Sequence, residues 1–353
     1  LSELVDWGLA GRVAAIAAGG GSGPRSSGSL DATVDRASVA VRDYIGLNPD
    51  HGEPSPEWVS RRDWAAVNLD SMRRSLGPLE RRLGGVAGSS AAPGGPLGSA
   101  LAVVAGAQLG AVVGYSSRRV LGQYEFPVLD PERPSRLLFV AENVEQAGVE
   151  LGGEPGAALR WIALHEVTHA VQFAAAPWLR EHLRDLVGEL LEQSRIGVGW
   201  TEIAAAAGRI ACSDPRDWIA DLWNSDPLTL LAAPDSRVLL ERIQATMAAV
   251  EGYAEHVMDA AAPALGEDVE ELRAALERRR QHRPPLARTL SWLLGMELKL
   301  RQYRDGKRFC DEAVELAGIE ALNGAWEAPE ALPTLAELSD PTAWLRRRAL
   351  SPV

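Results

Sequence analysis

The sequence predicts an α+β fold dominated by helices, on three observations. Most of the chain repeats apolar residues at three- and four-residue spacing, two short β-prone runs lie together near its middle, and no period of 20 to 50 residues organises the whole. With 353 residues, 46% of them hydrophobic, the chain can bury a sizeable core as one large domain or two lobes. Its formal charge of −12, with Lys299 and Lys307 as its lysines beside many arginines, leaves no lysine-rich surface for phosphate backbones. Nucleic acid is therefore not an expected partner.

Turn chemistry divides the chain into a helical region at 1–83, a joint at 84–99 and a longer part, 100–353, that carries nearly all the candidate chemistry. In the first, Trp64, Val67, Met72, Leu76, Leu79 and Leu83 recur at helical spacing with arginines on the other face. The joint, GGVAGSSAAPGGPLGS, lacks the large apolar side chains of a packed element. The most membrane-like stretch, Ala100–Gly114, is about 15 residues long, short of the roughly 20 that a spanning helix needs. Its Gly106, Gly110 and Gly114 predict a buried helix that a neighbour approaches closely, so no membrane is expected.

The runs Gln123–Leu129 and Arg136–Ala141, separated by DPERPS, predict a strand pair. After the break at Gly153–Gly156, a helix is expected over Ala157–Ala176, stopped by Pro177. Ser-Asp-Pro triplets at Ser213, Ser225 and Ser339 predict helix starts, with Asp capping and Pro in the first helical position. The apolar N-terminus is interrupted by Glu3, Asp6 and Arg12, so no signal peptide is expected. Two cysteines, Cys212 and Cys310, outside any Cys-x-x-Cys pair, point to a reducing, cytoplasmic setting.

The informative stretch is WIALHEVTHAVQF at Trp161–Phe173, which places His165, Glu166 and His169 in an H-E-x-x-H arrangement. Positions i and i+4 share a helix face, so two imidazoles can reach one zinc ion, while Glu166 beside that face can act as general base without ligating. The flanking residues are uncharged, as a helix buried beneath a cleft requires. Catalytic zinc takes a third protein ligand. The metzincin extension is absent, because Gln172 and Ala175 stand in its glycine and third-histidine places. In VEGYAEHVMD at Val250–Asp259, Glu251, Glu255 and Asp259 share one face. Glu251 is the expected ligand, with Gly252 beside it letting this helix approach the metal helix. Glu255 is the alternative, or the acceptor that orients a liganding imidazole.

The sequence resembles the zincin-like metallohydrolases of actinobacteria and chloroflexi, often labelled as associated with deazaflavin coenzyme biosynthesis. The resemblance rests on WVSRRDWAAVN at Trp58, VLGQYEFPVL at Val120, LLFVAENV at Leu137, WIALHEVTHAVQFAAAPWL at Trp161, VEGYAEHVMDA at Val250 and GMELKLRQYRDGKRF at Gly295. It implies a zincin-like fold, with a small sheet against the H-E-x-x-H helix, and the usual roles for His165, Glu166 and His169. The E-G-x-A-E run also resembles the third-ligand helix of gluzincin peptidases, whose ligand is the first glutamate, here Glu251. About 80 residues separate His169 from Glu251, far more than in compact gluzincins.

Together these readings predict a zinc-dependent hydrolase of peptide or other amide bonds, in which Glu166 activates a zinc-bound water. Tyr253, His256 and Tyr303 are candidate oxyanion donors, and Arg304 a candidate for gripping a substrate carboxylate. The stretch holding Tyr303 and Arg304, Leu294–Phe309, otherwise reads as the cationic end of a helix stopped at Gly306. Two alternatives compete: a scaffold that binds a peptide, cofactor or protein with little turnover, and a hydrolase of a small metabolite. The intact Glu166 argues against the first, and the second shares every water-activating residue.

Overall fold

The computed structural model describes residues 5–20, 28–47, 49, 54–85, 96–127, 133–150, 156–193, 234–266 and 296–350. The triplets at Ser213 and Ser225, together with Cys212, lie outside the described residues.

The run Leu137–Val140 is apolar at every position and wholly buried, the pattern of a strand covered on both faces. It belongs to the central strand of a three-stranded sheet made of β1 (Pro56–Val59), β2 (Gly122–Glu125) and β3 (Arg136–Val140), in the order β1-β3-β2. β2 pairs antiparallel with β3, as the two β-prone runs predict, and ends at Glu125. β1 pairs with β3 in parallel, with Trp58 opposite Phe139; the sequence reading did not include this strand.

Helices cover both faces of the sheet. They are α1 (Trp7–Ala18), α2 (Gly28–Ile45), α3 (Arg61–Gly85), α4 (Pro96–Ser117), α5 (Ala141–Glu150), α6 (Ala157–Ala175), α7 (Trp178–Gln193), α8 (Pro234–Ala261), α9 (Met296–Asn323) and α10 (Pro341–Leu350). The alternation of β3 assigns its side chains to two cores. Leu137 and Phe139 join the core formed by α2, α6, α8 and α9, whereas Leu138 and Val140 join α1 and α3. The third Ser-Asp-Pro triplet starts α10, where Asp340 Oδ1 accepts the Ala343 N–H at 3.0 Å. Of the predicted joint, Gly84 and Gly85 end α3 and residues 96–99 begin α4; residues 86–95 lie outside the described residues.

The glycine face of α4 is packed as predicted. A methyl group at Gly106, Gly110 or Gly114 would lie 2.4 to 2.5 Å from the carbonyl oxygens of Asp6, Ala10 or Ala14, so α1 rests directly on the α4 backbone. The predicted length is corrected. α4 has 22 residues, and by length and composition the Gly98–Ser117 segment could cross a membrane. Burial is confined to the side that meets α1 and α3, and Val103 and Val104 are exposed.

α8 crosses α9 at a second glycine contact. A methyl at Gly252 would lie 2.2 Å from the Gly306 carbonyl carbon, and one at Gly306 only 2.0 Å from Ala248 O. This corrects two expectations. Gly252 admits α9, not the metal helix, and Gly306 lies within α9 rather than ending it, since that helix runs on to Asn323. The roughly 1 kcal/mol that a mid-helix glycine costs is offset by the close packing it permits. Gly252→Ala should therefore destabilise the protein by about 1–3 kcal/mol. Gly188→Ala on α7, where nothing lies within 4 Å of the added methyl, should be neutral or stabilising by up to about 1 kcal/mol. Urea denaturation midpoints of the two variants measure the contrast.

Candidate metal centre

α6 is the expected helix, ending one residue earlier, and it is buried almost all round, with Ala163, Leu164, Val167 and Val171 fully enclosed. His165 and His169, one turn apart, turn toward a cleft, their rings perpendicular with centroids 4.7 Å apart. α8 brings Glu251 against them from the other side. His165 Nε2 and His169 Nε2 are 3.2 Å apart, and Glu251 Oε2 lies 3.6 and 3.7 Å from them. Among the described residues, these three form a group whose ligand atoms all lie within 4.8 Å of one another.

That spacing suits a metal ion. Two ligands of a tetrahedral zinc, each about 2.0–2.1 Å from the ion, are about 3.3 Å apart. The donor set of two imidazole nitrogens and a carboxylate oxygen is one that zinc favours, and a dication can satisfy all three lone pairs at once. The His/His/Glu cluster can thus coordinate a metal ion, and its residues fit zinc.

Burial, which alone would lower the His165 pKa, is outweighed by the Glu251, Glu166 and Glu255 carboxylates, and the imidazole is raised to about 9. For Glu251, burial favours the neutral form, but hydrogen bonds from His165 and His169 win and hold the carboxyl below its ordinary range. Glu166 behaves differently. Burial raises its pKa despite His165, His169 and the Tyr124 N–H, which donates to Oε2 at 2.6 Å. Its carboxylate stands beside the cluster without belonging to it.

Other predicted residues fall elsewhere. Glu255, one turn beyond Glu251, is outside the ligand group yet close enough for its charge to favour protonated His165. Gln172 Oε1 lies 3.4 Å from His169 Nδ1; a proton donated there leaves Nε2 as the lone-pair nitrogen. Its i+3 position from His169 was the available sequence signal. Tyr253 and His256 do not face the cleft, which corrects their expected role as oxyanion donors. At 100° per residue they stand about 200° and 140° round the helix from Glu251. The Tyr253 hydroxyl donates to Asn323 Oδ1 at 2.7 Å, and His256 lies between the Tyr44 hydroxyl at 2.7 Å and Asp311 Oδ1 at 2.8 Å. Tyr303 and Arg304 lie on α9 with side chains outside the described residues.

The cleft has a volume of about 180 Å³ and is walled by Tyr124, Phe126, Phe173, Met247 and Val250 around the histidine pair. The aromatic rings pack together, with Phe126 and Phe173 centroids 4.2 Å apart.

Over residues 5–345 the sequence matches the zincin-like metallopeptidase family. No curated protein matches it. Among solved structures it is similar to a presumed hydrolase with a novel fold from Chloroflexus aurantiacus. The two are 26% identical, with a TM-score of 0.68, covering 99% of this chain and 100% of the other.

In the metal-free protein, His165 is raised above its unfolded value, so its contribution to stability is full below about pH 6.5 and lost as the pH rises through about 9. Glu251 is lowered, so its contribution is present above about pH 4.5 and lost as the pH falls. Zinc requires deprotonated imidazoles, so metal and protons compete. Zinc should consequently raise the melting temperature by more near pH 9 than near pH 6, as paired thermal melts with and without the metal will read. An increment that shrinks with rising pH contradicts this electrostatic account.

Proposed function

The chain belongs to the zincin-like metallopeptidase family, and from that premise we propose that it is a zinc-dependent hydrolase of peptide or related amide bonds. The observation that carries the reading is the division of labour around α6: three side chains offer ligand atoms to one point, and a fourth, Glu166, stands beside them with its carboxylate outside the group.

His165, His169 and Glu251 would hold the zinc. When bound, zinc supplies Lewis acidity, polarising the scissile carbonyl and making water more acidic. Glu166 accepts a proton from the attacking water and passes it to the leaving nitrogen. The burial that raises its proton affinity suits both transfers. Glu255 supports the ligand set through its charge. The apolar and aromatic walls favour a neutral, apolar group beside the bond to be cut, and none of the described residues lining the cleft is a lysine or arginine that would pair with a phosphate. The similarity to the presumed hydrolase from Chloroflexus aurantiacus supports hydrolysis as the reaction class. No described cleft residue is particular to a deazaflavin, so that association adds no substrate to the proposal. A reducing, cytoplasmic setting agrees with a chain whose Cys310 is a buried free thiol.

Zinc content and turnover should separate on mutation. Glu251→Ala should lose most bound zinc, while Glu255→Ala weakens its affinity by about 10 to 100-fold. Glu166→Gln should keep the fold and the zinc yet fail to cleave a peptide library that the wild type digests, because the amide cannot accept the proton. Elemental analysis and mass spectrometry of the digests supply both readouts. Cleavage by Glu166→Gln at the wild-type rate would refute the mechanism.

A further inference from the structure

Glu166 is held from a direction that the ligand set does not account for. β2 lies at the edge of the sheet alongside α6, and Tyr124 turns its backbone N–H out of the sheet to donate to Glu166 Oε2 at 2.6 Å. Two residues earlier, Gly122 lies flat against the same side chain. A methyl there would lie 2.8 Å from Glu166 Cγ, 3.3 Å from Cδ and 3.0 Å from Ile162 Cγ1. Real Cβ atoms do not approach that closely, so something must yield. α6 is packed on nearly all sides and β2 is tied to β3, so the displacement falls on the Glu166 and Ile162 side chains, and Glu166, met at both Cγ and Cδ, stands nearer to the added methyl.

We propose that Gly122 and the Tyr124 N–H are positioning residues for the base: together they fix the Glu166 carboxylate beside the His165, His169 and Glu251 group and keep it from joining that group. A buried glutamate next to two liganding imidazoles has an evident alternative, which is to swing round and become a fourth ligand, closing the position that an attacking water needs. The N–H engages one carboxylate oxygen with a charge-assisted hydrogen bond, and the other oxygen remains available to take a proton. The missing side chain at 122 gives the Glu166 methylene groups their place. A displacement of 1 Å at such a group costs about 100-fold in rate. This inference rests on the base role of Glu166 proposed above and adds the residues that determine where the base stands.

The test uses the cobalt(II)-substituted protein and two small probes whose binding is followed by visible absorption. Acetohydroxamate chelates the metal as its anion, giving up its O–H proton to a neighbouring base; azide is already an anion and needs none. Glu166→Gln and Gly122→Ala should each weaken acetohydroxamate by about 10 to 100-fold, the loss of one charge-assisted hydrogen bond. Azide, which needs no base, should bind Glu166→Gln at least as tightly as the wild type, because a repelling carboxylate is gone, and Gly122→Ala no more tightly, because the displaced carboxylate competes for the same position. Ile162→Ala, which loosens the same packing without displacing Glu166, should lower the melting temperature and keep acetohydroxamate affinity. If Glu166→Gln binds acetohydroxamate like the wild type, the base assignment itself fails. If Glu166→Gln loses affinity and Gly122→Ala does not, the positioning role alone is overturned. Should Gly122→Ala not fold, the protein labelled with ¹⁵N at its five tyrosines decides the matter without it. The Tyr124 amide proton, assigned by Tyr124→Phe, should move upfield in Glu166→Gln as a carboxylate acceptor becomes a weaker amide, and an unmoved resonance overturns the proposal.

Discussion

The site depends on how closely α8 can lie against α9. Gly252 and Gly306 bring the two backbones together, with Ala248 one turn earlier completing the contact, and no side chain larger than a hydrogen fits at either glycine. Glu251 immediately precedes Gly252, on the side of α8 turned toward α6. The crossing therefore fixes the height and rotation at which the third carboxylate meets the two imidazoles. The register of Glu251 against the two imidazoles, about 80 positions earlier in the sequence, is thus set by packing between helices.

The second determinant is electrostatic. Placing the buried Glu166 beside the half-buried Glu251 would be costly without compensation. Compensation reaches them differently. Glu251 faces two imidazole nitrogens and is stabilised as the anion, whereas Glu166 receives one backbone N–H and keeps a raised proton affinity. Two carboxylates close together thus acquire different chemistry from their surroundings, one suited to ligating a cation and the other to exchanging protons. The polar junction of Tyr44, His256, Asp311 and Lys307 on another side of α8 ties that helix to α2 and α9 and contributes to holding Glu251 in place.

Features written in local periodicity were legible in the sequence. The i, i+4 histidines, the glycine face of α4 and the β-prone runs of β2 and β3 each depend on residues a few positions apart, where local composition and helix geometry carry the signal directly. Glu251 was legible through its resemblance to a ligand helix and its apolar neighbours. What depended on long-range packing was not. β1 is four residues long and pairs with a strand about 80 positions away, so its own alternation carries little signal. Gly252 signals a close approach, but a glycine does not say from which side the neighbour comes. Gly306 looked like a helix stop because its role in the crossing is invisible without α8. The Tyr124 contact to Glu166 uses a backbone N–H, which every residue except proline possesses and which no sequence pattern singles out.

Zinc K-edge X-ray absorption of the metal-loaded protein tests the central claim most directly, because it reports the donor atoms without needing a substrate. The account predicts a nitrogen and oxygen shell at about 2.0–2.1 Å with imidazole outer-shell scattering equivalent to two histidines, altered when Glu251 is replaced by alanine. A sulfur shell at about 2.3 Å, or a spectrum identical in wild type and Glu251→Ala, would contradict it.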